Sequence, residues 1–268
     1  MIDYHLHSYL CRHGQGEIYE YVEAAIQKGL NEIGFAEHIP IPELDDPTGR
    51  MLFDHWETYV HDVRQAQKTY PEITIRFGIE ADYLPEHMPF IESFLGDYEF
   101  DYVIGSVHFV DDWDFSNPTF DHRLEEFGVD YLYERYYQLI QEAASTGLYD
   151  IIGHLDLPKK MRRQPSVPDA EWIDTTLHVI KEQDLALDVN TSGLRKEARE
   201  IYPRPEILQR ALGLGISVCL GSDAHKPADV AADFDESIRL LKQLGYTTCS
   251  VFQNRQRTSI PLEDYATR

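Results

Sequence analysis

Ile2-Asp3-Tyr4-His5-Leu6-His7 opens the chain as an alternating run. Successive side chains of a β-strand leave opposite faces, so Ile2, Tyr4 and Leu6 would share one face while His5 and His7 leave together from the other. Two imidazoles so placed form a chelating pair. Far down the chain, Gly221-Ser222-Asp223-Ala224-His225 follows the apolar run from Ile216 to Leu220 and repeats the two-residue spacing with a carboxylate and an imidazole. An isolated His-x-His is a weak signal, and its weight depends on what the intervening strands carry at their ends.

They carry the same kind of residue. A glycine-bearing loop with His13 leads into a helix from about Ile18 to Lys28, and the next apolar run, from Ile33, closes on Glu37-His38 before Pro40 and Pro42. Beyond a helix across Trp56 to Lys68, the strand from Ile73 ends in Glu80-Ala81-Asp82. After a helical stretch from Glu86 to Leu95, Tyr102 to His108 is a fourth strand with histidine at its end. An aromatic and acidic loop, residues 111–122, is too long to be only a turn and is a candidate lid. A helix from about Val129 to Ser145 precedes Ile151-Ile152-Gly153-His154, which is followed by Lys159 and Lys160. A helix from Asp169 to Gln183 leads to Ala186-Leu187-Asp188-Val189-Asn190 and Thr191-Ser192-Gly193-Leu194-Arg195, and a helix near Glu206 to Leu212 returns to the strand before Asp223. The last helix covers about Val230 to Leu244, and Tyr246 to Leu262 reads as a β-rich closing segment with no such polar end.

Strands alternating with helices predict an α/β fold with a parallel sheet. Seven strands have decorated ends, and 268 residues is near the usual length of one TIM-like barrel, so a single domain over 1–268 is expected. Right-handed crossovers place every strand's carboxyl end on one rim, where residues distant in sequence converge.

Composition narrows the chemistry. With 43% hydrophobic and 26% charged residues the chain is globular, and a formal charge of -23, from 47 acidic against 24 basic residues, argues against nucleic-acid or acidic-membrane partners. An anionic substrate then needs a local positive centre, which bound metal ions supply. Cys11, Cys219 and Cys249 lack metal-type spacing and read as reduced thiols of a cytoplasmic protein. No secretion signal or membrane-length apolar run is expected.

Of the twelve histidines, seven fall at or just after strand ends: His5, His7, His13, His38, His108, His154 and His225. Together with Glu80 and Asp223 they make nine donors. Imidazoles with few carboxylates and no thiolates suit zinc, iron or manganese, and nine donors exceed what one ion uses; they match three ions if a bridging carboxylate counts twice. Ions a few ångströms apart bridging an attacking hydroxide fit phosphate-ester hydrolysis.

These residues resemble the polymerase-and-histidinol-phosphatase (PHP) metallohydrolases, and more closely the monofunctional histidinol-phosphatase branch. The likeness runs over nearly the whole chain, through Asp3-Tyr4-His5-Leu6-His7, Ala36-Glu37-His38, Gly78-Ile79-Glu80, Gly105-Ser106-Val107-His108, Gly153-His154-Leu155-Asp156, Asn190-Thr191-Ser192-Gly193-Leu194-Arg195 and Gly221-Ser222-Asp223-Ala224-His225. The resemblance implies a distorted (β/α)7 barrel with a trinuclear centre. His5, His7, Glu80 and Asp223 would hold one ion, Glu80 with His108 and His154 a second, and His13, His38 and His225 the third. Where the family often has aspartate before the second-strand histidine, this chain has Glu37. The implied activity is hydrolysis of L-histidinol phosphate in histidine biosynthesis. Glu80 and Asp223 would act through a metal-bridging hydroxide, in a monomer or homodimer. Arg195 is a candidate phosphate grip through its planar guanidinium, and Lys159 and Lys160 are further candidates. Glu17, Asp82, Trp113 and Phe115 are available to the amino and imidazole groups. Alternative readings are another phosphoesterase of this superfamily, a non-catalytic accessory domain, or an amidohydrolase. The last usually bridges its metals with a modified lysine where Glu80 and His108 stand here.

Overall fold

The computed structural model describes residues 1–42, 44, 49–111, 113–117, 119 and 122–262. β1 (Ile2–Leu6) leads through α1 (Ile18–Gln27) to β2 (Glu32–Phe35), and the alternation continues with α2 (Trp56–Thr69), β3 (Thr74–Asp82), α3 (Met88–Gly96) and β4 (Tyr102–Ser106). A short antiparallel hairpin of β5 (Phe109–Val110) and β6 (Trp113–Asp114), then α4 (Arg123–Phe127) and α5 (Val129–Ala144), precede β7 (Ile151–Ile152). α6 (Ala170–Glu182), β8 (Ala186–Asn190), α7 (Pro205–Gly213), β9 (Val218–Gly221) and α8 (Phe234–Leu244) complete the alternation. The antiparallel pair β10 (Thr248–Gln253) and β11 (Gln256–Pro261) follows.

The parallel strands pair in the order β1-β2-β3-β4-β7-β8-β9. β9 returns to β1 at its carboxyl end only, where His7 N donates to Ala224 O at 3.0 Å and Ala224 N to His5 O at 3.2 Å. The result is a nearly closed seven-stranded barrel, as expected. Helices bury one stripe each: in α8 the buried positions are Phe234, Ser237, Ile238 and Leu241, the spacing of one helical face. Within the barrel the Tyr102 ring crosses under β2 and β3, and its hydroxyl donates to Tyr4 O at 2.7 Å and Phe35 O at 3.1 Å. A Cβ at Gly34 would lie 2.2 Å from the Tyr102 hydroxyl oxygen and one at Gly78 2.3 Å from a ring carbon, so both positions need glycine for the side chain to fit.

The closing hairpin binds the opposite mouth from the histidines. Arg255 N donates to Asp101 O at 2.9 Å and Arg255 Nη2 to Leu148 O at 2.7 Å, groups that lie just before β4 and β7. Several strands stop earlier than the sequence predicts, β2 at Phe35 and β7 at Ile152; beyond them Glu80 N still donates to Glu37 O at 2.9 Å and Gly153 N to Gly105 O at 2.9 Å, while the histidines that follow aim their rings inward. His154 and Asp223 reach inward with φ of 21° and 52°, sparsely populated backbone for residues with a Cβ. Of the candidate lid, Asp112, Pro118, Phe120 and Asp121 lie outside the described residues. Trp113 and Phe115 are buried in the core beside α5 and are not available to a ligand.

Candidate metal centre

Glu80, near the carboxyl end of β3 and 1% exposed, is the hub of the rim. Its Oε2 lies 2.9 Å from His38 Nδ1, 3.4 Å from His5 Nε2 and 3.5 Å from His7 Nε2, while Oε1 lies 3.0 Å from His154 Nε2 and 3.8 Å from His108 Nε2. Five imidazoles from four neighbouring strands thus converge on one carboxylate. Asp223 closes the far side, its Oδ1 3.4 Å from His7 Nε2 and 4.0 Å from His5 Nε2. His225 and His13 stack outward from there, with ring centroids 4.4 Å apart, and His225 is 4.4 Å from His7. All nine donors expected from the sequence lie in this cluster.

Residues behind the cluster aim the rings. Asp188 Oδ2 lies 2.8 Å from His5 Nδ1 and accepts from Asn190 Nδ2 at 3.0 Å; Asp82 Oδ1 lies 2.7 Å from His108 Nδ1, with its other oxygen 3.2 Å from Arg50 Nη1. Ser8 N and Oγ, each 2.5 Å away, donate to Glu37, whose second oxygen is 4.0 Å from His7 Nδ1. His5 and His108 show the pattern normal for a ligating histidine, one ring nitrogen held from behind and the other facing inward, whereas His7 Nδ1 makes no hydrogen bond. Nothing in the spacing of motifs singled out Asp188, although a carboxylate in the apolar strand Ala186-Leu187-Asp188-Val189-Asn190 was a usable signal.

The electrostatics call for added positive charge. Burial would raise the Glu80 and Asp223 carboxyls, but His38 and His5 around the first and His5 and His7 around the second hold both well below the usual carboxylate range. Burial would lower His5, yet Glu80, Asp223 and Asp188 outweigh it and hold His5 well above its ordinary value. Burial and neighbouring His38 push His7 down to about 3, so its ring stays neutral and its nitrogen lone pair available. His5 Nε2, His7 Nε2, Glu80 Oε2 and His225 Nε2 are buried and make no hydrogen bond. Unsatisfied buried polar atoms are costly, and these belong to sets whose donor atoms lie within 4.8 Å of one another, among them His5-His7-Glu80, Glu80-His108-His154 and His7-His38-His225. The donors fit divalent transition metals.

A cavity of about 370 Å³ opens in front of the cluster. Lys160 lines it, as do Arg50 and Lys196, which the sequence did not single out. Lys160 Nζ donates to Ser116 O at 2.9 Å, and burial lowers its pKa to about 8. The other substrate candidates lie elsewhere. Lys159, 3% exposed, is turned inward to Asp156 Oδ2 at 2.9 Å and Ile201 O at 2.7 Å. Asp82 is fully buried behind His108, and Glu17 sits on the surface as the N-cap of α1. Arg195 does not line the cavity: its Nη2 donates to Ser222 O at 2.5 Å and its Nη1 to Asp233 Oδ2 at 3.1 Å, which ties down the loop that carries Asp223.

A parallel barrel with imidazoles and carboxylates gathered on its carboxyl rim defines a metal-binding barrel protein. Residues 3–192 match the PHP domain, and the chain belongs to that family. It is 39% identical, over 96% of its length and 98% of the relative's, to a Deinococcus radiodurans protein described as a probable histidinol-phosphatase. It is 34% identical to the Bacillus subtilis histidinol-phosphatase, over 87% of this chain and 96% of that one. The fold superposes with a TM-score of 0.82, at 23% identity and over 96% of this chain and 98% of the other, on Lactococcus lactis histidinol phosphate phosphatase complexed with zinc, L-histidinol and phosphate. Among the described residues no helix is long and apolar enough to cross a membrane.

Proposed function

We propose that this chain is a metal-dependent phosphomonoesterase that hydrolyses L-histidinol phosphate to L-histidinol and inorganic phosphate, a step of histidine biosynthesis. The observation that carries the reading is the convergence of five imidazoles on the Glu80 carboxylate at the floor of a cavity sized for a small molecule. Relatives described as histidinol-phosphatases over nearly the whole chain select the ester.

Three divalent ions, zinc, iron or manganese, would be held by His5, His7, Glu80 and Asp223; by Glu80, His108 and His154; and by His13, His38 and His225. When bound they supply a water ionised near neutral pH and positive charge for the phosphoryl oxygens. The chain's own part is positioning. Glu80 and Asp223 stay ionised, and Asp188 and Asp82 keep the Nε2 atoms of His5 and His108 facing inward. Lys160 approaches the phosphate from the cavity wall, where Lys196 and Arg50 add charge. We also read residues 1–268 as one domain of a cytoplasmic monomer or homodimer; the buried thiols of Cys11 and Cys219 support a reducing compartment.

The test is phosphate release from L-histidinol phosphate against a panel of sugar, nucleotide and simple alkyl monoesters. A marked preference for histidinol phosphate is expected; preference for another ester would replace the substrate.

A further inference from the structure

The charged side chains on the cavity wall facing the donor cluster are mostly cationic, Lys160, Lys196 and Arg50, as suits a phosphate dianion. Asp114 interrupts it. Apart from the proposed metal donors it is the one carboxylate among the described lining residues, placed at the end of β6 on the hairpin that follows β4. Its Oδ1 is fixed by Ser116 N at 2.9 Å and Ser116 Oγ at 2.8 Å, while Oδ2 takes no hydrogen bond or ion pair from any described residue. A preorganised carboxylate in a cavity built to gather a dianion opposes the phosphate; Lys160 and His108 feel its charge, but its free oxygen leaves room for a cationic group of the ligand that would offset the cost. An ester that carries its own cation provides one. L-histidinol phosphate has an α-ammonium close to its phosphate, and Phe109, Leu157 and Tyr202 offer apolar lining for its ring.

Resting on the functional reading above, we propose that Asp114 is a specificity-determining residue: its carboxylate receives the substrate ammonium and selects amino-bearing phosphate monoesters. Because Asp114 is outside the donor cluster, its replacement leaves metal binding intact.

The experiment compares L-histidinol phosphate with imidazolylpropyl phosphate, the same ester without the amino group, in the wild type and in Asp114→Asn and Asp114→Ala, with metal content measured in parallel. A charged hydrogen bond of this kind is worth roughly 10- to 100-fold in kcat/KM. The wild type is expected to favour the amino ester by about that factor. Both variants should lose that preference, keep their metal, bind the amino ester with a raised KM, and hydrolyse the amino-free ester at least as well as the wild type, since the repulsion on its phosphate is gone. Equal use of the two esters by the wild type overturns the proposal whatever the variants do, as does an equal loss on both esters in the variants. If the wild type hydrolyses neither ester but cleaves others, the functional reading fails instead.

Discussion

His5 Nδ1 lies 2.8 Å from Asp188 Oδ2, and both side chains are 1% exposed, so β8 orients a ring carried by β1. The approach depends on β9 between them: a Cβ at Gly221 would stand 2.4 Å from Asp188 Oδ1 and 2.7 Å from His5 Cβ. Asp188→Asn should therefore weaken metal binding by roughly 10- to 100-fold, the usual effect of losing a carboxylate behind a ligating histidine. Competition with a chromophoric chelator measures it, and unchanged affinity would remove Asp188 from the site.

Glu80→Gln should abolish both metal retention and turnover, because the neutral amide cannot balance the imidazoles that meet it. Elemental analysis of the purified variant reads the first and phosphate release the second. A fully active variant would contradict the bridging role.

Arg195→Ala separates two accounts of one residue. The structure commits its guanidinium to Ser222 O and Asp233, so the variant should lose about 1–2 kcal/mol of stability and hold metal less tightly at Asp223. Thermal unfolding and metal content check both. Unchanged metal content with a raised KM would restore Arg195 as the phosphate grip expected from sequence.

Lys160 gives the site a pH dependence. Burial lowers its pKa to about 8, so the ammonium is present below that pH and is lost as pH rises through it. KM should therefore climb above about pH 8 in the wild type, and Lys160→Arg, whose charge persists, should flatten the rise. An identical profile in the variant would show that Lys160 does not meet the substrate.

Gly78→Ala tests the barrel rather than the chemistry. The added methyl carbon would sit 2.3 Å from the Tyr102 ring, an overpacking cost of about 1–3 kcal/mol visible in denaturant unfolding. Gly78→Ala with Tyr102→Phe should remain destabilised, since the clash is with the ring and not the hydroxyl alone.

The barrel and its rim were legible because both depend on local periodicity: strand alternation placed His5 with His7, and strand ends marked His38, His108, His154 and Asp223. Pairings between strands were not legible. Adjacent Lys159 and Lys160 look equivalent in sequence, yet they lie on the turn Leu157–Met161, which sends one inward to Asp156 and Ile201 and the other to the cavity. Asp82, two residues from Glu80 and on the same face, looked equally available to a ligand. Only the orientation of His108 and the reach of Arg50 from a distant loop commit it to a supporting role. Trp113 and Phe115 read as loop aromatics because the hairpin that folds them under α5 is too short to leave a periodic signal.

Anomalous diffraction from crystals grown with zinc or manganese tests the central claim most directly. Metal peaks are predicted inside the space bounded by His5, His7, His13, His38, Glu80, His108, His154, Asp223 and His225, with Glu80 contacting two of them. Peaks located elsewhere, or no peaks at these side chains in metal-replete crystals, would contradict it.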